Sequence, residues 1–270
     1  MSTTNSCRSL IDRRQSPFSV PGPSLTAFKP LLSFTASSLN MVSLFFPVAA
    51  TVIAAAFAVT VDRHRLFDYY WVCEKVLLPS FSRMINLPLE RTFWNLLILA
   101  HVPLRVLSLF LYYVKFSSSA SSARASTLLT SVTLLLFIVA GAFDLTFLSL
   151  LTVVGERESG FLHMVFFICF ILSTEAFMAA HLLLSIRCGV KGRKETVSFR
   201  LRLFLFFALI ITVALLTTAF SLFQGYCVPY SYSTFAGLEY CTIAMILMYH
   251  STALLDLDFR LNVVYTGKEC

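Results

Sequence analysis

Six long apolar segments divide this chain, at residues 41–61, 92–114, 127–153, 161–186, 203–223 and 234–255. Each can cross a hydrocarbon core of about 30 Å, which takes about 20 helical residues. In that medium no water satisfies the backbone, so a single apolar run of this length has to be a helix. The expectation is an all-α polytopic membrane protein, a bundle of six transmembrane helices. The chain is 57% hydrophobic and 13% charged, whereas a soluble domain is nearer half apolar and a quarter charged. A net charge of +7 in a soluble protein would point to nucleic acid. Here the loops account for it, and no nucleic-acid partner is expected.

The segments set the organisation. Residues 1–40 are rich in Ser, Thr and Pro and read as a disordered cytosolic tail. Residues 41–258 form the transmembrane domain, and 259–270 a short cytosolic tail. The apolar run Met41–Val61 exceeds the 7–15 residues typical of a signal-peptide core, so it reads as an uncleaved anchor. With six spans both termini share a side. Of the 21 Lys and Arg, fourteen fall on that side and six on the other, with Arg105 inside a span. Cytosolic loops collect Lys and Arg, so both termini are expected in the cytosol. Arg187, Lys191, Arg193, Lys194, Arg200 and Arg202 then read as an ordinary solvated loop. The loop 62–91 is aromatic and partly apolar, and is expected to fold back onto the membrane surface. Only Cys73 and Cys227 fall on the noncytosolic side. A disulfide between them and two free thiols are both open readings.

Ionisable residues inside spans are costly and tend to mark functional interiors. Glu239 and His250 are eleven residues apart on one face of the sixth segment, with Ile246 between them. At 1.5 Å per residue they differ in depth by about 16 Å, too far to act on one bond. His101 and Arg105 share a face of the second segment, and Trp94 lies on the same stripe. Depth alone pairs Arg105 with Glu175, and His101 with Asp144. Arg105, Glu175, Asp144 and His250 read as intramembrane groups that hold helices together. His163 falls at the luminal edge of the fourth segment, and His181 near its cytosolic end, where it reads as solvated. The five His are dispersed, and no Gly-x-Ser-x-Gly or His-Glu-x-x-His motif occurs. Neither a metal nor a cofactor is expected.

Several fragments together carry a resemblance. They are Leu78-Pro79-Ser80-Phe81-Ser82, Arg91-Thr92-Phe93-Trp94, His101-Val102-Pro103-Leu104-Arg105 and the run Glu156 to His163. Tyr226-Cys227, Phe235 to Tyr240 and His250 to Asp256 complete the set. In order and spacing, from about residue 41 to 258, they resemble the post-GPI-attachment-to-proteins factor two family, within the damage-regulated autophagy modulator superfamily. The resemblance implies work in Golgi and endoplasmic reticulum membranes. It implies fatty-acid remodelling of glycosylphosphatidylinositol (GPI) anchors after attachment to protein, by reacylation of a lyso-GPI lipid. The partners implied are GPI-anchored proteins or lyso-GPI, and membrane phospholipid. Such chemistry at the luminal boundary favours Glu239, His163, Glu158 and His101 as catalytic candidates. Arg91, to hold the inositol phosphate, Trp94 and Tyr226 are the substrate-binding candidates. The same resemblance also fits a non-enzymatic lipid-binding or sorting cofactor. A transporter reading lacks the broken-helix repeats such proteins carry.

Overall fold

The computed structural model describes residues 32–67, 69–122, 128–190, 192–257 and 260–263. A short strand, β1 (Leu32–Thr35), leads into the first span, α1 (Ala36–Thr60). The long loop that follows contains α2 (Arg63–Phe67), the antiparallel hairpin of β2 (Tyr70–Trp71) and β3 (Glu74–Lys75), and α3 (Phe81–Met84). Then come α4 (Pro88–Ser122), α5 (Leu128–Val153), α6 (Gly160–Cys188) and α7 (Gly192–Tyr226). The last span is α8 (Ser231–Ser251), extended by α9 (Ala253–Asp256), and β4 (Arg260–Val263) follows. Among the described residues six helices are long and apolar enough to cross a membrane. The compact body runs from Phe34 to Leu261.

Several boundaries differ from the sequence expectation, α4 running from Pro88 to Ser122 among them. Helix α1 begins at Ala36, inside the expected tail, because Thr35 caps it by accepting from the Ser38 amide at 3.1 Å. Residues 1–31 and 264–270, the rest of the two expected tails, lie outside the described residues. Helix α7 begins at Gly192, well before residue 203. Hydropathy marks only the apolar part of a helix, so the basic turns from Arg193 to Arg202 escaped it.

Neighbouring spans pack in chain order, α1 on α4, then α5, α6, α7 and α8, and α8 returns to α1. The six helices thus close a ring. Helix α1 buries Ala36, Asn40, Ser43, Pro47, Ala50, Ala54 and Ala58, a stripe of mostly small residues at helical spacing. Small side chains let backbones approach where no hydrophobic gain separates helix from lipid. Its opposite face exposes Val42, Phe45, Val52 and Val59.

The loop 62–91 goes further than the membrane surface. Leu66, Phe81, Met84, Ile85 and Leu87 are buried against Ala50, Ala54 and Ala58 of α1 and Trp94 and Ile98 of α4. Arg83 lies between the rings of Tyr69 and Trp71, 4.2 and 4.1 Å from their centroids, a double cation–π contact. Cys73 and Cys227, with Cα atoms 5.5 Å apart, form a disulfide that ties the hairpin to the α7–α8 connection.

Candidate functional site

The ring encloses a cavity of about 140 Å³, roughly ten times the 10–15 Å³ that one water needs. Its wall is largely apolar, with polar groups in three places along its length. At one end, α3 meets α8, and the α5–α6 turn meets the inserted loop at Asn86. Glu239 on α8 is 3% exposed. It accepts from the Phe81 amide at 2.7 Å, the Ser82 amide at 3.2 Å and the Ser82 hydroxyl at 2.5 Å. The Tyr240 hydroxyl donates to Pro79 O at 3.1 Å, and Tyr232 bonds Ser80 at 3.2 Å. Helix α8 therefore clasps residues 79–82 through three side chains, and Glu239 supplies acceptors to the open amides that begin α3.

Beside this clasp, His163 and Thr152 line the cavity. His163 is 7% exposed, and its Nδ1 lies 2.8 Å from Val154 O. A carbonyl only accepts, so Nδ1 carries the proton, and in the neutral ring Nε2 presents a lone pair. That Nε2 is buried and has no partner among the described residues, and neither does the Thr152 hydroxyl. Trp94 packs edge-on to Phe81, with ring centroids 5.0 Å apart, and also lines this end.

Further along, Arg105 donates from Nη1 to His250 Nδ1 and from Nη2 to Asp144 Oδ2 at 3.3 Å. Asp144 Oδ1 accepts from Thr174 at 2.5 Å. His101 is held differently. Pro47 has no N–H, so the carbonyl of Ser43, one turn earlier, loses its helical partner. His101 Nδ1 donates to that carbonyl at 2.7 Å.

At the far end Arg202 is 2% exposed. Its Nε donates to Thr252 Oγ1 at 2.7 Å, and its two terminal nitrogens reach Asp256 Oδ2 and Oδ1 at 2.7 and 3.0 Å. The same nitrogens bond His181 Nε2 at 3.0 Å and the Tyr112 hydroxyl at 2.7 Å. His181 Nδ1 meets the Tyr249 hydroxyl at 3.1 Å. Lys115 reaches Glu195 at 2.8 Å and Asp256 O at 2.7 Å.

The chain matches, over residues 35–259, the family described as the Frag1/DRAM/Sfk1/Cwh43P N-terminal domain. It belongs to that family. The match covers nearly the whole compact body, including the ring, the inserted loop and the cavity. Two relatives from Drosophila melanogaster are similar to it. "Post-GPI attachment to proteins factor 2-like" is 24% identical over 195 residues, 71% of this chain and 60% of that protein. The chain thus spans about 60% of that relative's length. "Post-GPI attachment to proteins factor 2" is 28% identical over 234 residues, 85% of this chain and 88% of that protein. No solved structure matches.

In this member of the family, Glu239, His163, His101 and Trp94 all line the cavity. Glu158 and Arg91 do not; they pair with each other outside it, and Arg91 also donates to Val153 O at 2.9 Å. The Arg91 guanidinium holds the Glu158 carboxyl below the usual carboxylate range. Tyr226 is 78% exposed at the end of α7, away from the cavity wall. Neither pairing inferred from depth holds. Arg105 takes Asp144 and His250, and His101 takes Ser43, because depth fixes the level of a side chain but not the side of the helix it leaves. Glu175 is half-buried and makes no ion pair among the described residues. Two readings of solvated groups are overturned as well. His181, 1% exposed, and Arg202 are interior groups of the far-end network. The signal was present in α7, where Ser198, Arg202, Leu205 and Leu209 are buried at helical spacing. Thr152 and Tyr112 also escaped the sequence reading, and Asp256 entered it only as the end of a family fragment.

Proposed function

We propose that this protein serves the maturation of GPI anchors after their attachment to protein, and that its own step is reacylation of a lyso-GPI lipid in Golgi or endoplasmic reticulum membranes. Family membership and the names of both relatives support the pathway. The observation that carries the step is His163. Its Nδ1 lies against Val154 O, its Nε2 is buried without a partner among the described residues, and His163 lines the same largely apolar cavity as Thr152, whose hydroxyl is likewise unpartnered among them. Buried polar atoms left without partners among the described residues suit a ligand hydroxyl.

In this reading the free glycerol hydroxyl of lyso-GPI donates to His163 Nε2. As the proton passes to Nε2, the hydroxyl oxygen attacks the acyl carbonyl of the donor, a phospholipid ester or an acyl thioester. The new C–O ester bond forms, the donor's C–O or C–S bond breaks, and the leaving oxygen or sulfur takes the proton from His163. Glu239 acts by positioning, since both its oxygens are committed to α3. Arg91 is engaged by Glu158 and Val153 O, which a phosphate would meet in competition.

A non-enzymatic lipid-binding cofactor is the second reading, and the internal satisfaction of Glu239 and Arg91 favours it. A rescue assay separates the two. Cells lacking the endogenous factor receive wild type, His163→Ala, Thr152→Val or Glu239→Ala at matched abundance, and the GPI lipid is read by mass spectrometry. Wild type restores reacylated anchors and His163→Ala does not. Full restoration by His163→Ala would remove the enzymatic reading, and purified protein that acylates lyso-GPI would remove the other.

A further inference from the structure

Glu175 takes no part in the networks of the interior. It lies near the middle of α6. Its carboxyl makes no hydrogen bond or ion pair among the described residues, and it does not belong to the cavity wall. The phase of the helix shows where it points. Phe170, Phe177 and His181 of α6 line the cavity, and at 3.6 residues per turn Glu175 leaves the helix about 120–160° from them. It falls instead on a stripe that faces outward. Ile168, Leu172, Leu183 and Ile186 are exposed there, and Glu175 and Ala179 are half-buried among them. The six residues follow one another at steps of three and four, the pattern of a seam between two long helices. A carboxyl turned toward hydrocarbon is costly, and ionisable groups in spans almost always face a protein interior or a water-filled cavity. Ala179, one turn beyond Glu175, leaves room for another backbone to come close.

The membrane narrows the choice of occupant. Copies of one chain insert with one orientation, so a two-fold axis relating two of them lies along the membrane normal. Helix α6 then meets α6 in parallel, each residue at the depth of its own counterpart. Glu175 therefore meets Glu175. A neutral carboxyl carries one O–H donor and spare acceptor capacity, so two of them satisfy each other through reciprocal O–H···O bonds. A second copy supplies this partner without any cation or dedicated donor. We infer that the outer face of α6 is a homodimer seam, in which the Glu175 side chains of two copies pair with each other across a two-fold axis along the membrane normal. The seam lies outside the cavity and does not depend on the proposed function.

Full-length protein carrying a donor or an acceptor dye at its C-terminus is placed in phospholipid vesicles, and energy transfer is followed as the protein is diluted with lipid. Wild type is expected to give saturable transfer that falls on dilution, with a stoichiometry of two. Glu175→Leu should weaken association about tenfold, the scale of a lost interhelical hydrogen-bond pair. Glu175→Gln, whose amide also offers donor and acceptor, should stay close to wild type. Ala179→Phe should weaken association by holding the helices apart. A melting curve for each variant shows that the fold is intact, and Glu175→Leu places an apolar side chain on a lipid-facing helix. Wild type that stays monomeric at the highest density, or a dimer that Glu175→Leu leaves unchanged, would overturn the inference. A Gln variant as weak as the Leu variant would overturn the reciprocal pair. Wild type that associates through Glu175 only with a different membrane protein would overturn the second copy as occupant.

Discussion

Arg202 shows how far a residue's surroundings can depart from its local sequence. It ends a run of basic residues that reads as a solvated loop, yet it makes five hydrogen bonds in the interior. The planar fork of the guanidinium is what allows Asp256 to be met at both oxygens. Breaking a buried pair from one side leaves the other charge unmatched, at a cost of about 3–5 kcal/mol. Arg202→Met is expected to lower the melting temperature sharply. Arg202→Lys should recover little of it, since a single ammonium cannot replace the fork. A Lys variant as stable as wild type would show that the paired geometry is not what matters. Glu158 gives a pH-dependent counterpart near the surface. Its pKa is depressed by Arg91, so the clamp contributes fully above the unfolded carboxylate value of about 4.3. That contribution is lost as pH falls through the folded value. Amide exchange over residues 154–159 should therefore be insensitive to the loss of Glu158 at low pH. In a Glu158→Gln variant it should already be faster at neutral pH.

At the scale of elements, the inserted loop is held by groups that the sequence scatters widely. The fragments Leu78–Ser82 and Phe235–Tyr240 are the two sides of one clasp, with Glu239 on α3 and Tyr240 on Pro79. Their common appearance in the family resemblance acquires a physical reason from this contact. The α5–α6 turn closes on the same loop. A Cβ at Gly155 would lie 2.0 Å from Asn86 Oδ1 and 2.6 Å from Glu158 Oε2. Asn86 is itself buried and bonded to Ser82 O at 2.6 Å, so it cannot withdraw freely. Gly155→Ala is expected to cost about 1–3 kcal/mol through overpacking, read as a lower melting temperature. An unchanged melting temperature would mean that the turn can move away from the loop. Pro47 and His101 form a similar pair of distant partners, one opening a carbonyl in α1 and the other filling it from α4.

For the whole molecule, the ring, the inserted loop and the disulfide form one closed system. The ring brings α8 back against α1, and the Cys73–Cys227 bridge joins the first long loop to the last short one across 154 residues. Proteolysis without reductant should release one peptide pair linked through Cys73 and Cys227. Cys73→Ser should lower the melting temperature, because a cross-link over so long a loop restricts the unfolded chain. The charge distribution adds an expectation about orientation: a glycosylation acceptor placed between residues 225 and 231 should be modified, and one at either terminus should not.

The six spans and their order were legible in the sequence because hydrocarbon leaves the backbone no alternative to helix. The ionisable residues of the interior were also legible, since their cost in an apolar segment makes each one visible. Which of them touch was not. Arg105 and Asp144 meet, and Arg105 and Glu175 do not, because partner choice depends on how each helix is rotated within the ring. Hydropathy likewise hid Arg202, Asp256 and His181 at the ends of spans, where charge reads as solvated until packing buries it. The sequence by itself determined a six-helix membrane bundle with a polar interior. Only the tertiary structure decided that His163 Nε2 and Thr152 stand on one cavity without partners among the described residues, because that depends on Val154, Glu239 and the inserted loop coming together from three separate parts of the chain.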